Sequence, residues 1–93
     1  MPIEVLEKTH IVQDEGICGG QPRIAGTRIK VQGIAVEYER LGWTADQVCE
    51  AHPNLTLADV HAAIAYYYDH KHEIDEAIRK DEEFVEKMKK KLS

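Results

Sequence analysis

Serine occurs once in these 93 residues, at position 93, and cysteine only twice, as Cys18 and Cys49. Neither thiol sits in a C-x-x-C pair, and Cys49 and His52, three apart, read as neighbours without a fixed catalytic geometry, so two reduced thiols are expected. Five histidines are present, but His70 and His72 are two apart, on different sides of a helix, and His52 and His61 fall on separate elements. No metal, no cofactor and no enzymatic activity is expected. A run of about 18 apolar residues is missing, and Met1–Val5 has neither the basic start nor the apolar stretch of a secretory signal, which points to a cytoplasmic chain with no membrane partner. Glycine is absent after Gly42 and proline after Pro53. The last forty residues therefore read as helix.

What remains is the composition of a folded chain, 43% hydrophobic and 31% charged, short enough to build one core and hence one domain over residues 1–93. The net charge of -5 disfavours nucleic acid overall, but the charge is unevenly spread. Residues 16–30 hold Arg23, Arg28 and Lys30 with no acid, whereas residues 43–70 hold Asp46, Glu50, Asp59 and Asp69 with no Lys or Arg.

Along the chain, residues 8–31 read as an N-terminal β arm. His10-Ile11-Val12 is a short β-prone run, the Gly19-Gly20-Gln21-Pro22 stretch forbids regular structure, and Thr27, Ile29 and Val31 alternate with Arg28 and Lys30 as a second strand with one basic face. From Val31 the period lengthens. Val31, Ile34, Ala35, Tyr38 and Leu41 mark a first helix closed by Gly42; Thr44 with Gln47 opens a short second helix that Pro53 stops; Thr56 with Asp59 caps a third carrying Leu57, Val60, Ile64 and Tyr67. Residues 31–70 thus predict a compact tri-helical helix-turn-helix core. Residues 71–93, with seven basic and seven acidic side chains, predict an amphipathic C-terminal helix whose stripe of Ile74, Ile78, Val85, Met88 and Leu92 approaches a heptad seam, with Asp81 where an apolar residue is missing. Such a seam needs the body, a second copy or a partner to cover it.

Three features could carry function. The run from Gly19 to Val31 reads either as an anion or nucleic-acid grip through Arg23, Arg28 and Lys30 or as a turn-rich arm whose glycines satisfy unusual backbone angles; it lacks the Gly-Lys-Ser/Thr ending of a nucleotide loop. The third helix presents Thr56 and His61 as candidate groove-reading residues, but offers no cation before Lys71, which suits structural use or dimerisation as well. Tyr66-Tyr67-Tyr68 points three rings in different directions, so at least one, Tyr66 or Tyr68, is expected near solvent or a subunit contact.

Ile17-Cys18-Gly19-Gly20-Gln21-Pro22-Arg23-Ile24-Ala25-Gly26-Thr27-Arg28-Ile29, followed by Gly42-Trp43-Thr44 and by Leu57 to Tyr67, closely resembles the domain-of-unknown-function family numbered 433, over about residues 8–80. The resemblance implies a mainly α, homeodomain-like helix-turn-helix fold with a small N-terminal β element. It also implies a VapB-like antitoxin encoded beside a PIN-like toxin. Joined to the residues, this predicts a homodimer that regulates its own promoter through DNA contacts at Arg23 and Arg28, which fall in the family's signature, and at Lys30, Thr56 and His61. The toxin and the second copy would be met by Tyr66, Tyr68, Ile74, Ile78, Val85, Met88 and Leu92. The alternative is a non-catalytic homodimeric interaction module that binds no DNA.

Overall fold

The computed structural model describes residues 10–92; the first two residues of the expected arm, the Met1–Val5 start and Ser93 lie outside that span, as does the side chain of Cys18. The fold is mainly helical with a short two-stranded N-terminal sheet. Strand β1 (Ile11–Val12) pairs antiparallel with β2 (Arg23–Ile24), Ile11 opposite Ile24 and Val12 opposite Arg23.

The second strand was expected over residues 27–31, and the structure places it earlier. The chain turns back at Gly26, whose φ of 78° favours glycine, and the Thr27 side chain fastens that turn by donating to the Ile24 carbonyl at 2.8 Å and accepting from the Ile29 N–H at 3.0 Å. The alternation at Thr27–Val31 is therefore the return limb of a tight hairpin. It is tied by the Ile24 N–H to the Ile29 carbonyl and the Val31 N–H to the Pro22 carbonyl, with a single bridge between Arg23 and Lys30.

Helix α1 (Val31–Ala35) continues as a π turn over Val36–Arg40, where the Leu41 N–H reaches back to the Val36 carbonyl at 3.0 Å. Gly42, at φ 72°, ends it. Helices α2 (Ala45–Ala51) and α3 (Leu57–Asp69) both open on complete capping boxes, Thr44 with Gln47 and Thr56 with Asp59, as their spacing predicts. Helix α4 (Lys71–Leu92) follows after one residue, His70.

Helix α3 is the hub, packing against α1, α2, α4 and both strands. Ile24, Val31, Ile34, Val48 and Val60 are fully buried around it, with Ala35, Leu55, Ala63, Ile64, Tyr67, Ile74 and Ile78 completing the core. At about 1.5–3 kcal/mol for each large apolar side chain removed from water, this cluster is the main stabilising element of the chain. Burial stops at Ile78: every residue of α4 from Arg79 to Leu92 is exposed, and the molecule measures 60 × 29 × 23 Å. Among the described residues no helix is long and apolar enough to cross a membrane.

Candidate functional site

The basic residues of the hairpin do not form one patch. Arg23 is half-buried: its Nη1 donates to the Thr27 carbonyl at 3.0 Å, so it braces the turn, and its buried Nε has no hydrogen-bond partner. With Ile17, Gly26, Thr27 and exposed Arg28 it lines a recess of about 410 Å³. Lys30, bridged to Arg23 through the backbone, lines a second recess with Gln21 and Gln32 and with Glu73, Glu76, Lys80 and Asp81 of α4. Of the three cations expected to act together, Arg23 and Arg28 thus share one recess, and Lys30 lines another with three carboxylates and Lys80.

Thr56 and His61 both lie exposed, at the cap and in the second turn of α3. The Thr56 hydroxyl oxygen already accepts the Asp59 N–H at 3.1 Å, and Asp59 in turn accepts from the Thr56 N–H at 3.1 Å and meets His10 Nδ1 at 2.7 Å. The Thr56 N–H first, and then His10, hold the Asp59 carboxyl below the usual aspartate range in spite of its burial. The other exposed residues of the helix before its last turn are Leu57, Ala58 and Ala65, so its outer face carries no cation.

The three tyrosines separate as their spacing requires. Tyr67 is buried; Tyr66 is half-buried and stacks on His70 with ring centroids 4.0 Å apart; Tyr68 is exposed and donates to Glu39, which pushes its hydroxyl up to about 12. Sequence reasoning missed the role of Tyr67. Its hydroxyl donates to Asp75 at 2.7 Å and accepts from Lys71 Nζ at 2.9 Å, while Lys71 also reaches Asp75 at 3.1 Å. That cluster lies in a cleft of about 540 Å³ beside a second latch, the Arg40–Glu82 ion pair. Burial raises the Tyr67 pKa, the Tyr67 hydroxyl lowers that of Asp75, and the bond to Tyr67 raises that of Lys71, so each group is held more firmly in its neutral-pH charge state. The cleft fastens α4 to the body.

Ile74 and Ile78 were expected to meet a partner. They are 6% and 4% exposed and packed into the core of their own chain, because α4 folds back on α1 and α3 directly after His70. Val85, Met88 and Leu92, on the same stripe, stay 49%, 41% and 83% exposed. The structure adds Phe84, 64% exposed, which its place directly before Val85 on the seam's flank could have signalled. Asp81, the polar break in the heptad, marks the border between the two halves and bonds to Gln32 of α1. Next to it a groove of about 420 Å³ runs between Val36, Ile78, Asp81 and Val85. Among the described residues no group of three or more His, Cys, Asp or Glu is gathered as a metal ion would need.

The family model for the protein of unknown function DUF433 matches residues 11–67, from the first strand to the buried tyrosine. The chain belongs to this family. It is similar to a DUF433 member protein from Anabaena variabilis of known crystal structure, at 37% identity and a TM-score of 0.68, over 75% of this chain and 68% of that one. No curated protein matches it. The DUF433 match thus takes in the hairpin, α1, α2 and α3 as far as Tyr67, and stops short of α4.

Proposed function

We propose that this DUF433 protein is a non-enzymatic antitoxin-type module of the cytoplasm. Its outer α4 residues hold a PIN-like toxin nuclease, and its hairpin arginines, with Thr56 and His61, touch the DNA of its own promoter. One observation carries the reading: an amphipathic helix that spends the first half of its stripe on its own core and extends the second half, Phe84, Val85, Met88 and Leu92, into solvent. Helices of this kind bind by laying an apolar face into a groove. A nuclease that handles RNA carries cations on its binding face, and the exposed acids of the helical core, Asp46, Glu50 and Asp69, complement them.

Co-expression with the product of the adjacent gene tests the first half. The expected result is a complex that co-elutes on size exclusion, silences the nuclease and is lost in Val85→Asp/Met88→Asp; a neighbour that elutes apart and stays active would sink it. For the DNA half, an electrophoretic shift on the promoter fragment at low salt is expected, weakened in Arg23→Ala/Arg28→Ala.

A second reading, an interaction module without DNA, is favoured by two specific features: the recess that Lys30 and Lys80 line also holds Glu73, Glu76 and Asp81, and the exposed residues of α3 include no Lys or Arg. An unshifted promoter fragment together with an intact protein complex selects it.

A further inference from the structure

The geometry points to an anionic phospholipid surface as a ligand of the outer end of α4: residues 84–92 lay Phe84, Met88 and Leu92 into the headgroup layer, while lysines on both borders of that face meet the lipid phosphates. This goes beyond the antitoxin reading and does not require it. The nuclease reading uses the apolar stripe and leaves the lysines of the segment without a role. A cationic nuclease face would repel them.

The expectation of no membrane partner rests on the lack of a run long enough to cross a bilayer. Lying on one asks for a different pattern: a helix with one apolar face, lysines at its borders and its acids turned away. Residues 84–92 have that pattern. Phe84, Met88 and Leu92 stack at steps of four, with Val85 beside them, on a face about 100° wide. Lys87 and Lys91 border it on the Phe84 side and Lys89 on the Val85 side, whereas Glu86 and Lys90 fall on the opposite side of the helix. All these residues are exposed, Leu92 most of all at 83%. Cations in the last turn also suit the helix dipole, but the dipole does not ask for them on the two borders of an apolar face.

Charge selects what covers the face. Four lysines against Glu86 give residues 84–92 a net charge of +3; with -5 on the whole chain, the rest carries -8. An anionic surface therefore attracts this end of the molecule and repels the body. Phosphate alone, as on a nucleic acid, would answer the lysines and leave Phe84, Met88 and Leu92 in water; a bilayer answers both. Val85 and Lys89 also line the groove beside Val36 of the body, so the helix meets the surface obliquely and tip first, with Leu92 deepest. The inserted segment is short, about 13 Å of helix, so binding is expected to be reversible and to depend on the anionic lipid.

Co-sedimentation of the full chain with lipid vesicles tests the proposal. Vesicles of equal parts phosphatidylglycerol and phosphatidylcholine should carry the chain down at low salt, phosphatidylcholine alone should bind it about tenfold less or weaker still, and added salt should release it. Lys87→Glu/Lys91→Glu should weaken binding about tenfold or more, and Phe84→Asp/Leu92→Asp should abolish it, both with the folded core intact by circular dichroism, since all four side chains are exposed. In Phe84→Trp, brominated lipid should quench the fluorescence beyond that of the parent, whose single tryptophan is Trp43. A chain that stays in solution beside anionic vesicles at low salt overturns the proposal. So does a Phe84→Asp/Leu92→Asp chain that binds as tightly as the parent, or a Phe84→Trp chain quenched no more than the parent, since either reduces the contact to lysine and phosphate. A chain that ignores vesicles and still captures its nuclease refutes the lipid surface and leaves the antitoxin reading standing; one that binds vesicles and captures no nuclease does the reverse.

Discussion

At the scale of single residues, Asp59 carries more than its place as a cap suggests. It closes the capping box of α3 and ties β1 to that helix through His10, and its carboxyl is held below the ordinary value by those bonds. A depressed folded-state pKa means that this contribution is fully present above about pH 4 and drains away as the pH falls through the lower folded value. Asp59→Ala is expected to cost about 1–2 kcal/mol at neutral pH, a fall of several degrees in Tm, and the gap between variant and parent should narrow toward pH 2. Thermal unfolding at both pH values measures it. Two glycines should respond with opposite signs to the same change. Gly42 sits at φ 72°, so Gly42→Ala is expected to destabilise by about 1 kcal/mol or more; Gly33, in α1 with ordinary helical φ and open space where a Cβ would lie, should become more stable by about 0.5–1 kcal/mol as alanine.

Among the elements, those signalled by local chemistry stand where the sequence predicts them, and those set by distant contacts do not. Thr44 with Gln47 and Thr56 with Asp59 announce α2 and α3 because a capping box is complete within four residues. The alternation of Thr27 to Val31 was legible as extended chain, but the choice of Arg23–Ile24 as the paired strand depends on β1, eleven or more residues away. Nothing local marks the π turn at Val36–Arg40, and the His10–Asp59 and His52–Glu37 pairs join residues 49 and 15 apart. The heptad stripe of α4 was legible too; where the body ends along it was not, since that follows from how α1 and α3 receive Ile74 and Ile78. Those two positions should therefore part company with Val85 in a stability assay. Ile78→Ala is expected to cost about 2–4 kcal/mol by leaving a cavity beneath α4, and Val85→Ala less than about 0.5 kcal/mol, as chemical denaturation would show.

For the molecule as a whole, the division of α4 separates what holds the fold together from what is free to bind. The inner half is sealed by Ile74 and Ile78, by Tyr67 with Asp75 and Lys71, and by the Gln32–Asp81 and Arg40–Glu82 contacts. Past Glu82 every residue of the helix is exposed, and Glu83 pairs with Arg79 within α4 itself. A chain ending after Glu83 should consequently unfold in the same single transition, with Tm lowered by no more than about 4 °C, because the removed residues shelter none of the core. Capture of the nuclease should disappear from this truncated chain, while any shift of promoter DNA should persist. If the truncated chain instead melts broadly or far lower, the outer helix is part of the cooperative fold, and the separation of binding from stability fails with it.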